Sequence, residues 1–345
     1  MDNIISLAKE RFNSLPLPFK KDEHWRFSDL NFWGGKILEF IVPPEASGAC
    51  PVLENESAKT FFESLMRGGK FDALCAMDFA SAKLFCVGQN QRAKFENSDF
   101  ANINIFEIGE GADVEIFDGR IFGSGRLAAT ANFYFVKSNA RLRVNTFYNA
   151  QADSPRYSRA DFVLQDGADV KDVFVQAGGS HTRTERNFEI IGENANAEAA
   201  ALSVCAGNVV HDLRTRQIHA KPSSSSNLLA KNILSGASRA AFAGLIRVEE
   251  GAQKTKSYQS CRSLLLSENA RASGMPVLEI LANDVMCSHG CAVARPDMEQ
   301  MFYMQSRGLG EAAAQRLIKS GFANEILEKF SDAEFAHAAE TAVLK

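Results

Sequence analysis

Helical periodicity is confined to the two ends of this chain. Near the start, Ile4, Ile5, Ala8 and Phe12 share one face of a helix predicted over residues 3–13, which Pro16 and Pro18 end. A strand is predicted at Ile37–Val42 and a helix at Ala58–Met66, closed by Gly68-Gly69. At the far end, the pattern predicts helices at Asp297–Gln305 (stopped at Gly308), at Glu311–Lys319 (closed by Ser320-Gly321) and at Phe322–Phe330. Ser331-Asp332-Ala333-Glu334 matches a capping box opening a fourth helix, whose narrow apolar stripe includes Phe335, Ala338, Ala339 and Ala342. Such a stripe packs on its own domain or on a partner.

Between about 100 and 292 the pattern changes to short runs of alternating or β-branched residues. A tag of Gly or Asn followed by Ala punctuates them: Gly111-Ala112, Asn139-Ala140, Gly167-Ala168 and Asn194-Ala195, then Gly236-Ala237, Gly251-Ala252 and Asn269-Ala270. The first four alanines stand 28, 28 and 27 residues apart, and the later intervals are 42, 15 and 18. Gly and Asn accept the left-handed conformation of a tight corner, and Ala is small enough to sit inside the bend. A near-constant interval fits a solenoid whose rungs bury their apolar faces on one another. Many short strands and turns also fit an all-β sandwich. The expected fold is mainly β, a right-handed parallel β-helix core over 96–294, with helical regions at 1–95 and 295–345.

Composition narrows the function classes. Apolar residues at 46% and charged residues at 23% are ordinary for a soluble globular chain. The net charge of −4 is spread evenly, with no basic stripe for nucleic acid. The start, MDNIISLAKERFNSL, has no apolar core of a secretion signal, and no window nears the ~18 apolar residues of a membrane span. Seven scattered cysteines without CxxC spacing do not make a disulfide framework. No nucleic acid, no membrane and a cytoplasmic location are expected.

No GxxxxGK[ST] loop and no G-x-S-x-G elbow is present, and Gly308-Leu309-Gly310 follows a helix where a dinucleotide fold needs a strand. The segment Cys287-Ser288-His289-Gly290-Cys291 is different. On a strand, Cys287, His289 and Cys291 point to one face, and thiolate with imidazole suits zinc, copper or iron–sulfur chemistry. Their tips would stand some ~7 Å apart, so a complete site needs ligands from elsewhere. The same spacing also fits two buried structural cysteines and a hydrogen-bonded histidine. Cys261 lies beside Arg262 and close to Lys254 and Lys256, which would lower its thiol pKa if near in space; otherwise it is an inert core cysteine. Cys50, Cys75, Cys86 and Cys205 read as core, and His24, His181, His211, His219 and His337 show no ligand spacing.

From Phe242 to Phe322 the chain resembles the SufB/SufD family of iron–sulfur cluster assembly scaffolds. The resemblance runs in order through Phe242-Ala243-Gly244-Leu245-Ile246-Arg247-Val248, Leu264-Leu265-Leu266-Ser267 and Pro276-Val277-Leu278-Glu279-Ile280. It continues through Asn283-Asp284-Val285-Met286-Cys287-Ser288-His289-Gly290, Phe302-Tyr303, Ser306-Arg307-Gly308 and Gly321-Phe322. A shorter match lies at Glu23-His24-Trp25-Arg26-Phe27-Ser28-Asp29-Leu30. The resemblance implies a non-enzymatic scaffold that pairs with a SufB-like subunit and a SufC-like ABC ATPase docked on the C-terminal helices. It implies a transient iron–sulfur cluster shared between subunits, with His289 and Cys287 as metal ligands and Cys261 as a further cluster-binding residue. Cys287-Ser288-His289-Gly290 is SufD-like, whereas Cys261 falls where the SufB branch has its essential cysteine, and the SufD branch is favoured. The alternatives are a homodimeric scaffold using its own Cys261 and His289, or a β-helical polysaccharide-active enzyme, which would need clustered carboxylates.

Overall fold

The computed structural model describes residues 4–17, 33, 51–96, 101–123, 125 and 127–344. The expected strand at 37–42 and the matching stretch at 23–30 lie outside the described residues.

The strands form two sheets that the chain visits alternately. Sheet A takes β1 (Lys83–Val87), β3 (Ile103–Ile108), β5 (Ala128–Val136), β7 (Arg156–Leu164), β9 (His181–Ile190), β11 (Val210–His219), β13 (Arg239–Val248) and β15 (Arg271–Ile280). Sheet B takes β2 (Arg92–Glu96), β4 (Asp113–Phe122), β6 (Arg141–Ala150), β8 (Asp169–Gly178), β10 (Asn196–Cys205), β12 (Ser225–Leu234), β14 (Lys256–Leu265) and β16 (Met286–Ala294). Each sheet has eight strands, stacked in chain order. The pairing is parallel, as between β10 and β12 or β11 and β13, which makes the molecule a parallel β-solenoid and excludes a sandwich of antiparallel sheets. The sheets begin at Lys83, ahead of the boundary expected at 96, because Phe85 stacks on Phe106 with ring centroids 4.7 Å apart.

The corner chemistry follows the sequence tag. Gly111, Asn139, Gly167 and Asn194 all have positive φ (55–65°), and Ala112, Ala140, Ala168 and Ala195 behind them are completely buried. Each alanine immediately precedes a strand of sheet B. The two later corners of this row use Ser223-Ser224 and Lys254-Thr255, with Ser223 and Lys254 again at positive φ. There the buried hydroxyls satisfy turn carbonyls, Ser224 that of Lys221 at 3.1 Å and Thr255 that of Ala252 at 2.8 Å. Ala270, by contrast, precedes β15 in sheet A. The irregular intervals arise because the later tags mix two corners.

Inside the solenoid, Phe106, Tyr134, Phe162 and Phe188 occupy successive rungs at one register and stack at 4.6–5.1 Å. Offset aromatic stacking adds to the area they bury. Both outer faces are covered in part by helices. On sheet A lie α1 (Ile4–Ser14), α2 (Glu56–Arg67) and α3 (Lys70–Met77), whose Ala8, Phe61, Leu65 and Phe71 join Ile105, Phe133 and Tyr157 in one cluster. Asp72 of α3 accepts from Tyr157 Oη at 2.8 Å and Arg159 Nη1 at 2.7 Å.

On sheet B lie α5 (Glu311–Leu327) and α6 (Ala333–Leu344), preceded by α4 (Met298–Ser306). Ala323, Ile326, Leu327, Ala339 and Val343 pack on Val173, Val175, Leu202, Val204 and Ile233. Of the expected stripe, Phe335 and Ala339 pack on the chain's own solenoid together with Val343, while Ala338 is exposed. The two helices expected at 311–319 and 322–330 are one, running through Gly321. A glycine inside a helix costs about 1 kcal/mol, which burial of Ala314, Ala323 and Ile326 on either side of it offsets. Asp332 rather than Ser331 caps α6, accepting from the Phe335 N–H at 2.9 Å.

Candidate ligand site at the open end of the solenoid

Strands β15 and β16 are the last of their sheets, so no further rung covers their inward-facing side chains among the described residues. Alternation along β14 places Ser257, Gln259, Cys261 and Ser263 inward, while Tyr258 and Arg262 face out. In the parallel register Cys287 pairs with Ser257, His289 with Gln259 and Cys291 with Cys261. The three residues of the C-x-H-x-C segment thus share the inward direction, as their spacing implied. Cys287 is half-buried, and His289 and Cys291 are exposed.

Cys261 is one rung deeper and only 1% exposed. Its sulfur accepts from Asn232 Nδ2 at 3.7 Å, and Cys291 is its register partner on β16. Burial first, then the neighbouring Cys291, pushes the Cys261 thiol up to about 12. The cationic neighbours anticipated from the sequence do not counter this. Arg262 points to the opposite face and pairs with Glu325 at 3.3 Å, and Lys254 sits at a corner. Partial burial likewise raises the Cys287 thiol. Beneath His289, Gln259 is anchored by donating to the carbonyl of Gly244 at 3.1 Å. Cys291 Sγ sits close over Gly274, where a Cβ would lie 2.2 Å from it.

Among the described residues, no group of three or more His, Cys, Asp or Glu is arranged to hold a metal ion. The described residues therefore offer donors without closing a site. The remaining described cysteines stand apart: Cys75 in α3, Cys86 in β1 and Cys205 in β10. The other described histidines are also elsewhere. His181 lies against Trp33, His211 donates from Nε2 to the Gly178 carbonyl at 2.9 Å, and His219 bridges Ser224 and Ser226. The pairing of Cys261 with Cys291 was invisible to local spacing, because the two are one full rung apart in sequence.

Fold and site together define a parallel β-solenoid that ends in a soft-donor rung. Comparison with known proteins gives that class its family. Residues 91–322 match the family model described as "SUF system FeS cluster assembly, SufBD core domain". The chain is 34% identical to the iron-sulfur cluster assembly protein SufD of Escherichia coli over 233 residues, 66% of this chain and 54% of that protein. It is 31% identical to an iron-sulfur cluster assembly SufBD family protein of Mycobacterium leprae over 351 residues, 92% of this chain and 88% of that one. It is 32% identical to the chloroplastic protein ABCI7 of Arabidopsis thaliana over 210 residues, 60% of this chain and 44% of that protein. The chain belongs to the SufBD family of SUF-system iron–sulfur cluster assembly proteins. It spans about half the length of the Escherichia coli and Arabidopsis relatives.

Proposed function

We propose that this chain is a non-enzymatic, SufD-type scaffold subunit that holds a nascent iron–sulfur cluster jointly with a SufB-like partner. The observation that carries this reading is the open last rung, where His289, Cys287 and Cys291 face inward with no further rung over them among the described residues. A site made of one imidazole and a few thiols, left incomplete by its own chain, suits a cluster that must be assembled and then released. His289 and Cys287 act as metal ligands, and Cys261 stands behind them. The similarity to SufD of Escherichia coli supports the SufD branch. No helix among the described residues is long and apolar enough to cross a membrane. A SufC-like ABC ATPase would dock on the C-terminal helices. Because α6 is committed to sheet B, the surface for it is α4 with the start of α5, where Phe302, Tyr303 and Leu317 are exposed.

Cys261 separates this reading from a homodimer. In the complex purified from its native host, Cys261→Ser should leave anaerobic cluster reconstitution within about twofold of wild type, since the partner supplies the principal thiolate. Loss of nearly all cluster in that variant would favour two copies of this chain, each using its own Cys261 and His289.

A further inference from the structure

We propose that Cys261 and Cys291 form an intramolecular disulfide by exchange with a low-molecular-weight disulfide such as oxidised glutathione. The two residues are direct register partners on β14 and β16 and share the inward face. Neighbouring strands lie about 4.8 Å apart, inside the Cα separation of roughly 4.4–6.8 Å that a disulfide spans. Cys291 Sγ is folded back over Gly274 at the mouth of the solenoid. No other described cysteine has a cysteine beside it in register: Cys287 faces Ser257, Cys205 faces Leu234 and Cys86 faces Glu107.

Exposure assigns the order of events. Cys291, the exposed thiol, attacks as thiolate on one sulfur of oxidised glutathione, whose S–S bond breaks and releases one glutathione thiolate. The buried Cys261 then loses its proton to solvent, and its thiolate attacks the Cys291 sulfur, expelling the second glutathione thiolate. Two protein thiols lose two electrons and two protons, and one glutathione disulfide becomes two glutathione thiols. On the cluster reading proposed above, and only on it, the bridge also withdraws both sulfurs from the donor set until reductant returns.

The test uses the full chain, freed of iron and incubated with excess oxidised glutathione, then alkylated, digested and analysed by mass spectrometry. A peptide pair joining Cys261 to Cys291 should exceed any other cysteine pair at least tenfold. It should vanish in Cys291→Ser and persist in Cys86→Ser. Glutathione retained on Cys291 without a bridge, or a Cys287–Cys291 bridge in its place, would overturn the proposal. No iron takes part, so this failure would leave the cluster reading standing.

Discussion

Ala140 sits fully buried in a corner that Asn139 turns with φ of 58°. The space behind that turn admits a methyl group and little more, so Ala140→Leu should destabilise the chain by about 1–3 kcal/mol, read as a lowered urea midpoint. This residue-scale constraint is why the corner could be found in the sequence: a small residue after a left-handed one is needed once per coil. At Ser224 and Thr255 a hydroxyl meets the same constraint by bonding a carbonyl, and there the tag dissolves. The register of β14 against β16 was lost with it, and so was the Cys261–Cys291 pair. Arg262 misled for a related reason, since alternation sends it to the face opposite its neighbour Cys261. The buried histidines give a pH test. Burial holds His211 down to about 3 and His219 down to about 4, from an ordinary 6.5. As pH falls below 6.5 the unfolded chain takes up these protons first. Their contribution is therefore whole above 6.5 and is lost on the way down to the folded values. In His219→Asn, the stability lost between pH 7 and pH 5 should shrink by about 2 kcal/mol, measured by denaturant unfolding at each pH.

At the scale of elements, sheet B depends on α5 and α6 for a cover over Val173, Val175, Leu202 and Ile233. Removing Ser331–Lys345 uncovers the β8 part of that face, Val173 and Val175, and should cost about 3 kcal/mol or more, seen as a lower melting temperature. An unchanged melting temperature would mean that α6 contributes no packing. The double role of β8 is also testable. Val170 faces the interior and is fully buried, so Val170→Asp should cost several kcal/mol by burying an unpaired charge. The helices themselves were legible from periodicity, because amphipathic spacing is local. Where α5 ends was not, because a glycine at 321 signals a stop unless packing on a distant strand overrides it. Lys231 of β12 donating to the Phe322 carbonyl at 2.8 Å is part of that distant packing.

At the scale of the whole molecule the two ends of the solenoid differ. The first rungs are plugged by Phe85 and Phe95 packed on Phe106. The last rung leaves Met286 and Val293 exposed beside His289 and Cys291, and its strand edges are unpaired among the described residues. On the reading proposed above, a partner chain would pair these edges and supply further ligands. The solenoid was readable from its corners and the donor segment from its spacing. That the segment closes one end of the stack, with Cys261 one rung behind, needed the three-dimensional register. The most direct test is anaerobic reconstitution of the complex purified from its native host, carrying His289→Ala together with Cys261→Ser. Iron and sulfide per complex should fall at least fivefold below wild type while the subunits remain associated. Wild-type cluster content in the intact double variant would place the cluster away from this end of the solenoid.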